Sequence, residues 1–172
     1  MLAARNILIG MPIDDQTAQT AIAKLLYLQM LDSNAPIVLY INSPGGSITS
    51  SLAIVDTIME LHPPVYTVAM NHCHGSALLV LAVGQSGHRL ALKDATLSIE
   101  ATEPGPSVLS AEAEKNLSRL NNRMASIFSQ HSKLTMEQSL EALKRGRLLS
   151  LHEAVTLGII DGVAEAKTPG PD

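Results

Sequence analysis

Apolar and polar positions follow two rhythms along this chain: short, nearly continuous apolar runs, and longer stretches where apolar residues return every three or four positions. The combination predicts strands interleaved with helices. Asn6-Ile-Leu-Ile9 reads as a strand, and about Gln16 to Leu31 as a helix with Asp14 and Asp15 as candidate N-caps. Pro36-Ile-Val-Leu-Tyr-Ile41 is almost continuously apolar and ends in Asn-Ser-Pro-Gly-Gly, as expected of a strand covered on both faces in a parallel sheet. Thr49 to Leu61 follows as a helix with Leu52, Ile54, Val55, Ile58 and Met59 on a broad apolar face, stopped by Pro63-Pro64. Val65 to Met70 is the next strand and Asn71-His-Cys-His-Gly75 a turn. Ser76 to Val83 is a short helix so apolar that it must be buried on every side.

Strands at Arg89–Leu92 and Thr96–Ala101 come next, then a loop at Glu103–Pro106 and the longest helical stretch, Ala111 to His131. That stretch is rich in Asn, Ser and Arg, so it is expected to project from the core or to pack on a partner. Helices at Thr135–Lys144 and Ser150–Leu157, then Gly158 and a strand near Val163, complete the pattern, and the Pro- and Gly-rich tail from Lys167 is expected to be loose. No repeat of solenoid or propeller spacing is visible. Strand-helix-strand alternation with short connections predicts an α/β fold with right-handed crossovers. Residues 1–166 are expected to form one domain, with 102–131 a loop and a projecting handle-like helix, and 167–172 a flexible tail.

Composition narrows the picture. At 172 residues, one domain can bury about 68–70% of its unfolded surface. With 46% hydrophobic and 16% charged residues, no Trp, one Phe and three Tyr, the chain is folded around an aliphatic core. A net charge of −4 gives no basic footprint for nucleic acid or an anionic membrane surface. The longest apolar stretch, Ala77 to Val83, is far short of the roughly 20 residues that cross a bilayer. Cys73 is the single cysteine, so no internal disulfide forms, and the start of the chain has no leader-like run, which fits a reducing cytoplasm.

Ligand sites in such sheets gather at the carboxyl ends of strands, where two turns stand out: Asn42-Ser-Pro-Gly-Gly-Ser47 and Asn71-His-Cys-His-Gly-Ser76. A Gly-Gly pair before a helix can leave backbone N–H groups uncovered, the raw material of an oxyanion hole. The plainer reading is a tight turn with Ser47 capping the next helix. His72 and His74, two apart in an extended segment, face the same side and with Glu100 make a candidate zinc set, though no fourth ligand supports it. Cys73 reads as a small core residue.

Arg5-Asn-Ile-Leu-Ile-Gly10, Ile13-Asp-Asp15, Leu39-Tyr-Ile-Asn-Ser-Pro-Gly-Gly-Ser-Ile-Thr49, Ala53-Ile-Val-Asp-Thr-Ile58 and Ser150-Leu-His-Glu-Ala-Val-Thr-Leu-Gly-Ile-Ile-Asp161 together resemble the proteolytic subunit family of Clp-type serine proteases. The resemblance runs over nearly the whole chain, in order and in spacing. It implies a fold shared with the crotonase superfamily, built of β-β-α and β-α-β units, and subunits in seven-membered rings, usually two of them around a chamber. No cofactor is implied.

The family's nucleophilic serine, general-base histidine and orienting aspartate fall on Gly75, Glu100 and Gly146 of this chain, so the resemblance implies an emptied triad. Losing the nucleophile or base of such a triad costs on the order of 10⁶ in turnover. The oxyanion donors would be the N–H groups of Gly46 and Ser76. The resemblance thus implies a non-catalytic structural or regulatory subunit of a ring, alone or beside an active paralogue. The alternative is a hydrolase, or a crotonase-like acyl-binding catalyst, rearranged around Ser76, His72, His74 and Glu100. Against Ser76 as nucleophile stands its position: one residue of shift at a helix start turns a side chain by about 100°, and a capping role suits it better. The chain starts almost at its first strand, without the family's N-terminal helix and axial loop, which speaks against docking of an ATPase unfoldase. The short Thr102–Ser110 loop speaks for one ring rather than two.

Overall fold

The computed structural model of the chain describes residues 5–101 and 110–164, so the expected loop at Glu103–Pro106 and the tail from Lys167 lie outside the described residues. Its elements in chain order are β1 (Asn6–Ile9), α1 (Asp15–Leu31), β2 (Ile37–Ser43), α2 (Ile48–Glu60), β3 (Val65–His74), α3 (Ser76–Ala82), β4 (Arg89–Leu92), β5 (Thr96–Ile99), α4 (Ala111–His131), α5 (Met136–Arg145), β6 (Arg147–Leu149), α6 (Leu151–Thr156) and β7 (Gly162–Ala164). This is a mixed α/β architecture. The strands form a single sheet in the order β1-β2-β3-β4-β7, all parallel, with β5 parallel to the far end of β3 and β6 antiparallel to β5.

Helix starts follow local chemistry. The side chains of Asp14, Ser47, Ser110, Thr135 and Ser150 each accept a hydrogen bond from a backbone N–H in the first turn of the helix they precede, satisfying donors that would otherwise be unpaired. The end of α1 has no basic residue of its own. Arg5 supplies the missing donors: its guanidinium reaches the carbonyls of Leu28, Asp32, Ala35 and Pro36, pinning β1 to the end of α1.

The core lies between the sheet and α1, α2 and α3. All seven residues of α3 are buried, with Leu78, Leu79 and Leu81 at 0% exposure, as the unbroken apolar run required. Each such side chain contributes about 1.5–3 kcal/mol by its removal from water. The C-terminal half of α4 also enters the core through Met124, Ala125, Ile127 and Phe128, while its N-terminal half stands largely exposed. The helix expected to project does so over half its length only.

One expectation of the sheet fails. The apolar run in β2 suggests burial on both faces, yet Ile37, Leu39 and Ile41 are at 0% exposure while Val38, Tyr40 and Asn42 are half-buried. Leu8, Tyr40, Val68 and Leu90 stand in register as one row across four strands, exposed at the Leu8 edge and buried at Val68. Leu8 is 60% exposed.

At the opposite end of the strands from the two Gly turns, Arg89 closes the sheet. Its backbone and guanidinium donate to Asp161 and its Nη1 to the carbonyls of Ala82 and His131, so β4, α3, α4 and the entry to β7 meet on one buried cation. Burial would raise the pKa of Asp161, but the hydrogen bonds and charge of Arg89 and the Gly87 N–H hold it below the ordinary carboxylate value.

Candidate functional site

The two turns singled out in the sequence lie side by side at the carboxyl end of the sheet. In the first, Ile13 donates to the Gly45 carbonyl at 2.8 Å and accepts from the Ser47 N–H at 2.7 Å. This parallel bridge turns the Gly46 N–H away from Ile13. Glycine is forced here: a Cβ on Gly46 (φ +144°) would stand 2.4 Å from the Ile13 carbonyl oxygen, and one on Gly45 (φ +87°) 2.7 Å from the His74 carbonyl oxygen and 3.3 Å from the Ser76 nitrogen. The Gly-Gly pair therefore lets the two turns touch.

The second turn is shorter than the sequence suggests. β3 does not end at Met70 but continues to His74, because it exchanges one partner for another: residues 67–69 pair with β4, and His72, Cys73 and His74 with Thr96, Leu97 and Ser98 of β5. A register shift between Ile41 and Ser43 on β2 accommodates the change. The chain then reverses at Gly75, whose N–H donates to the Ser98 carbonyl and whose backbone has φ +54° and ψ −121°. Side chains tolerate that region only with strain, on the order of 1–3 kcal/mol, and such residues cluster at functional turns.

The three positions that the resemblance assigns to the triad are brought together. Glu100 follows β5, and a Cβ on Gly75 would lie 3.4 Å from both its Cγ and its Oε1. Gly146, the C-cap of α5 at φ +58°, faces the same residue, its Cβ position 3.6 Å from Glu100 Cβ. Ser98 Oγ donates to Glu100 Oε1 at 3.1 Å. The centre is a carboxylate between two glycines. Beside it, neither the Gly46 nor the Ser76 N–H meets an acceptor among the described residues. A cleft of about 480 Å³, lined in part by Ala101, Leu117, Asn121, Leu140 and Leu143, opens between α4 and α5.

Ser76 is not placed as the sequence suggests. Gly75, not Ser76, is the N-cap of α3, and it makes no side-chain cap. A first-turn residue of an α-helix points its side chain outward from its own axis, here into α2. Ser76 Oγ is buried, 4% exposed as a residue, and accepts from Ser51 Oγ at 2.8 Å. The two histidines stand elsewhere, with His72 Nδ1 and His74 Nε2 each 3.0 Å from Thr96 Oγ1. Among the described residues no three His, Cys, Asp or Glu side chains are grouped to hold a metal ion; Glu100 is engaged by Ser98 instead. Cys73 is fully buried, and burial pushes its thiol pKa far above the ordinary value, which fits a core residue.

Sequence reasoning missed Ser98, Thr96 and Ser51, the residues that hold Glu100, the histidines and Ser76. Thr96 and Ser51 act through partners on other elements, so their own neighbours in sequence carry no signal, while Ser98 reaches a carboxylate only two residues on. A larger groove of about 1000 Å³ lies at the Arg89 end of the strands, between Pro63, Gln85, His131 and Asp161. Its charged centre, Arg89 with Asp161, is already paired.

No helix among the described residues is long and apolar enough to cross a membrane. A family model described as Clp protease matches residues 1–167. The chain is 34% identical over 163 residues to the ATP-dependent Clp protease proteolytic subunit 2 of Streptomyces coelicolor, covering 92% of this chain and 75% of that protein. It is 35% identical over 164 residues to the ATP-dependent Clp protease proteolytic subunit 1 of Thermobifida fusca, covering 92% and 73%.

Proposed function

This chain belongs to the Clp protease family, and on that footing we propose that it is a proteolytic-subunit homologue without peptidase chemistry of its own. It builds a seven-membered ring, alone or with an active paralogue, as a structural or regulatory subunit in the cytoplasm.

The observation that carries this reading is the convergence of Gly75, Glu100 and Gly146. Two glycines and a carboxylate supply neither a hydroxyl or thiol nucleophile nor an imidazole base. Ser76 does not fill the gap, since its hydroxyl is turned into the α2 contact with Ser51. Assembly is supported by apolar surface in excess of what a lone domain needs to expose. Leu26, Tyr27, Met30 and Leu31 stand out from α1, and Leu8 stands out from β1.

The test is a fluorogenic peptidase assay beside light scattering, on the wild type and on the triple variant Gly75→Ser/Glu100→His/Gly146→Asp. The wild type is expected to be assembled and silent, and the triple variant to gain turnover. Side chains at 75 and 146 enter at φ +54° and +58°, each at a cost of about 1–3 kcal/mol, so thermal melting is read in parallel to separate unfolding from absent chemistry. Wild-type turnover abolished by Ser76→Ala would overturn the reading.

A further inference from the structure

We propose that His72 and His74, together with Thr96, form a binding site for one divalent transition-metal ion of the zinc type. The proposal stands apart from the reading of the triad positions and uses none of them.

Continuation of β3 to His74 puts His72 and His74 on one side of the strand, two residues apart, and pairing with β5 sets Thr96 directly beside His72. Two different ring nitrogens, His72 Nδ1 and His74 Nε2, then converge on a single oxygen, Thr96 Oγ1, at 3.0 Å each. The rings meet at 62° with centroids 5.4 Å apart, so they do not stack and both nitrogens can address one point. Zinc–nitrogen bonds are about 2.0–2.1 Å long. An octahedron with arms of that length has edges of about 3.0 Å, and a tetrahedron edges of about 3.4 Å. Each nitrogen thus stands at ligand-to-ligand distance from the Thr96 oxygen, and a turn of each ring away from that oxygen would bring both lone pairs onto an ion seated beside it.

Thr96 orients the set. Its hydroxyl donates to the Asn71 carbonyl at 3.0 Å, which leaves both its lone pairs facing the imidazoles. Without an ion, both rings must donate N–H to that oxygen. Binding the ion moves each N–H to the other nitrogen of its ring, so both rings stay neutral and each presents a lone pair. The Thr96 proton stays on Asn71, and its oxygen faces the ion as a weak ligand that holds both rings in place. His72 is exposed and His74 half-exposed, so an ion can reach them, with water completing the coordination. A donor set of two imidazoles with oxygens suits zinc and its neighbours rather than magnesium or calcium. Glu100, the third ligand expected from the sequence, is replaced by Thr96.

Calorimetric titration of zinc chloride into the metal-free full chain tests this. One ion per chain is expected, with affinity lost in His72→Ala and in His74→Ala, reduced about 10–100-fold in Thr96→Val, and unchanged in Glu100→Gln. Binding that survives both histidine variants would belong to other histidines and would overturn the site, as would no binding by the wild type. Loss of binding in Glu100→Gln would replace Thr96 by the carboxylate and overturn the geometry argued above.

Discussion

The Gly45-Gly46 turn and the Gly75 turn touch each other, and both carry glycine at positive φ, but for different reasons. At Gly46 the space is full: a methyl group would meet the Ile13 carbonyl at 2.4 Å. At Gly75 and Gly146 the nearest neighbour is the side chain of Glu100, at 3.4 and 3.6 Å, which is ordinary contact. The first turn is glycine because nothing else fits. The second could hold a side chain if its backbone strain were met. The Gly45-Gly46 turn is thus fixed by sterics, while Gly75 and Gly146 leave room for a side chain.

The comparison breaks most visibly at Gly46. Gly46→Ala is expected to cost about 4 kcal/mol or more, because backbone rather than a flexible side chain stands in the way; a denaturant midpoint within ~0.5 kcal/mol of wild type would show that the turn relaxes freely. Gly75→Ser, facing strain without overlap, is expected to cost about 1–3 kcal/mol and still fold, again by chemical denaturation. If it cost as much as Gly46→Ala, the distinction between the two turns would be lost. Smaller still is the hydroxyl pair that joins α2 to α3: Ser76→Ala leaves the buried Ser51 hydroxyl without its acceptor, for about 1–2 kcal/mol. Ser51→Ala/Ser76→Ala is expected to recover part of that loss. A purely additive cycle would mean that Ser51 finds another partner.

Much of the fold was legible because it is written locally. Apolar runs located the strands of the sheet, caps such as Asp14, Ser47 and Thr135 marked helix starts, and the all-apolar stretch after Gly75 became the buried α3. What escaped depends on distant partners. Asn71 and His72 look like turn residues, and only pairing with β5 makes them strand. β6 is three residues long, too short for a period to show. Burial of the Asn- and Ser-rich α4 comes from four residues near its end, diluted by polar neighbours. At the site, the two turns were visible from the sequence and Gly75, Glu100 and Gly146 were proposed from the resemblance, whereas the direction of the Ser76 side chain was not visible. Spacing gives the position of a residue along a helix, but not which hydroxyl on a neighbouring helix it will find.

Arg89 and Asp161 are 72 residues apart, and this sets an order on the ribosome. Translation at roughly 5–20 residues per second leaves the guanidinium waiting about 4–14 s for its carboxylate. During that interval β4 has no β7 beside it and its cation has no counter-ion to be buried with. The nascent chain therefore cannot set β7 beside β4 and bury this cation against its counter-ion until Asp161 has been made.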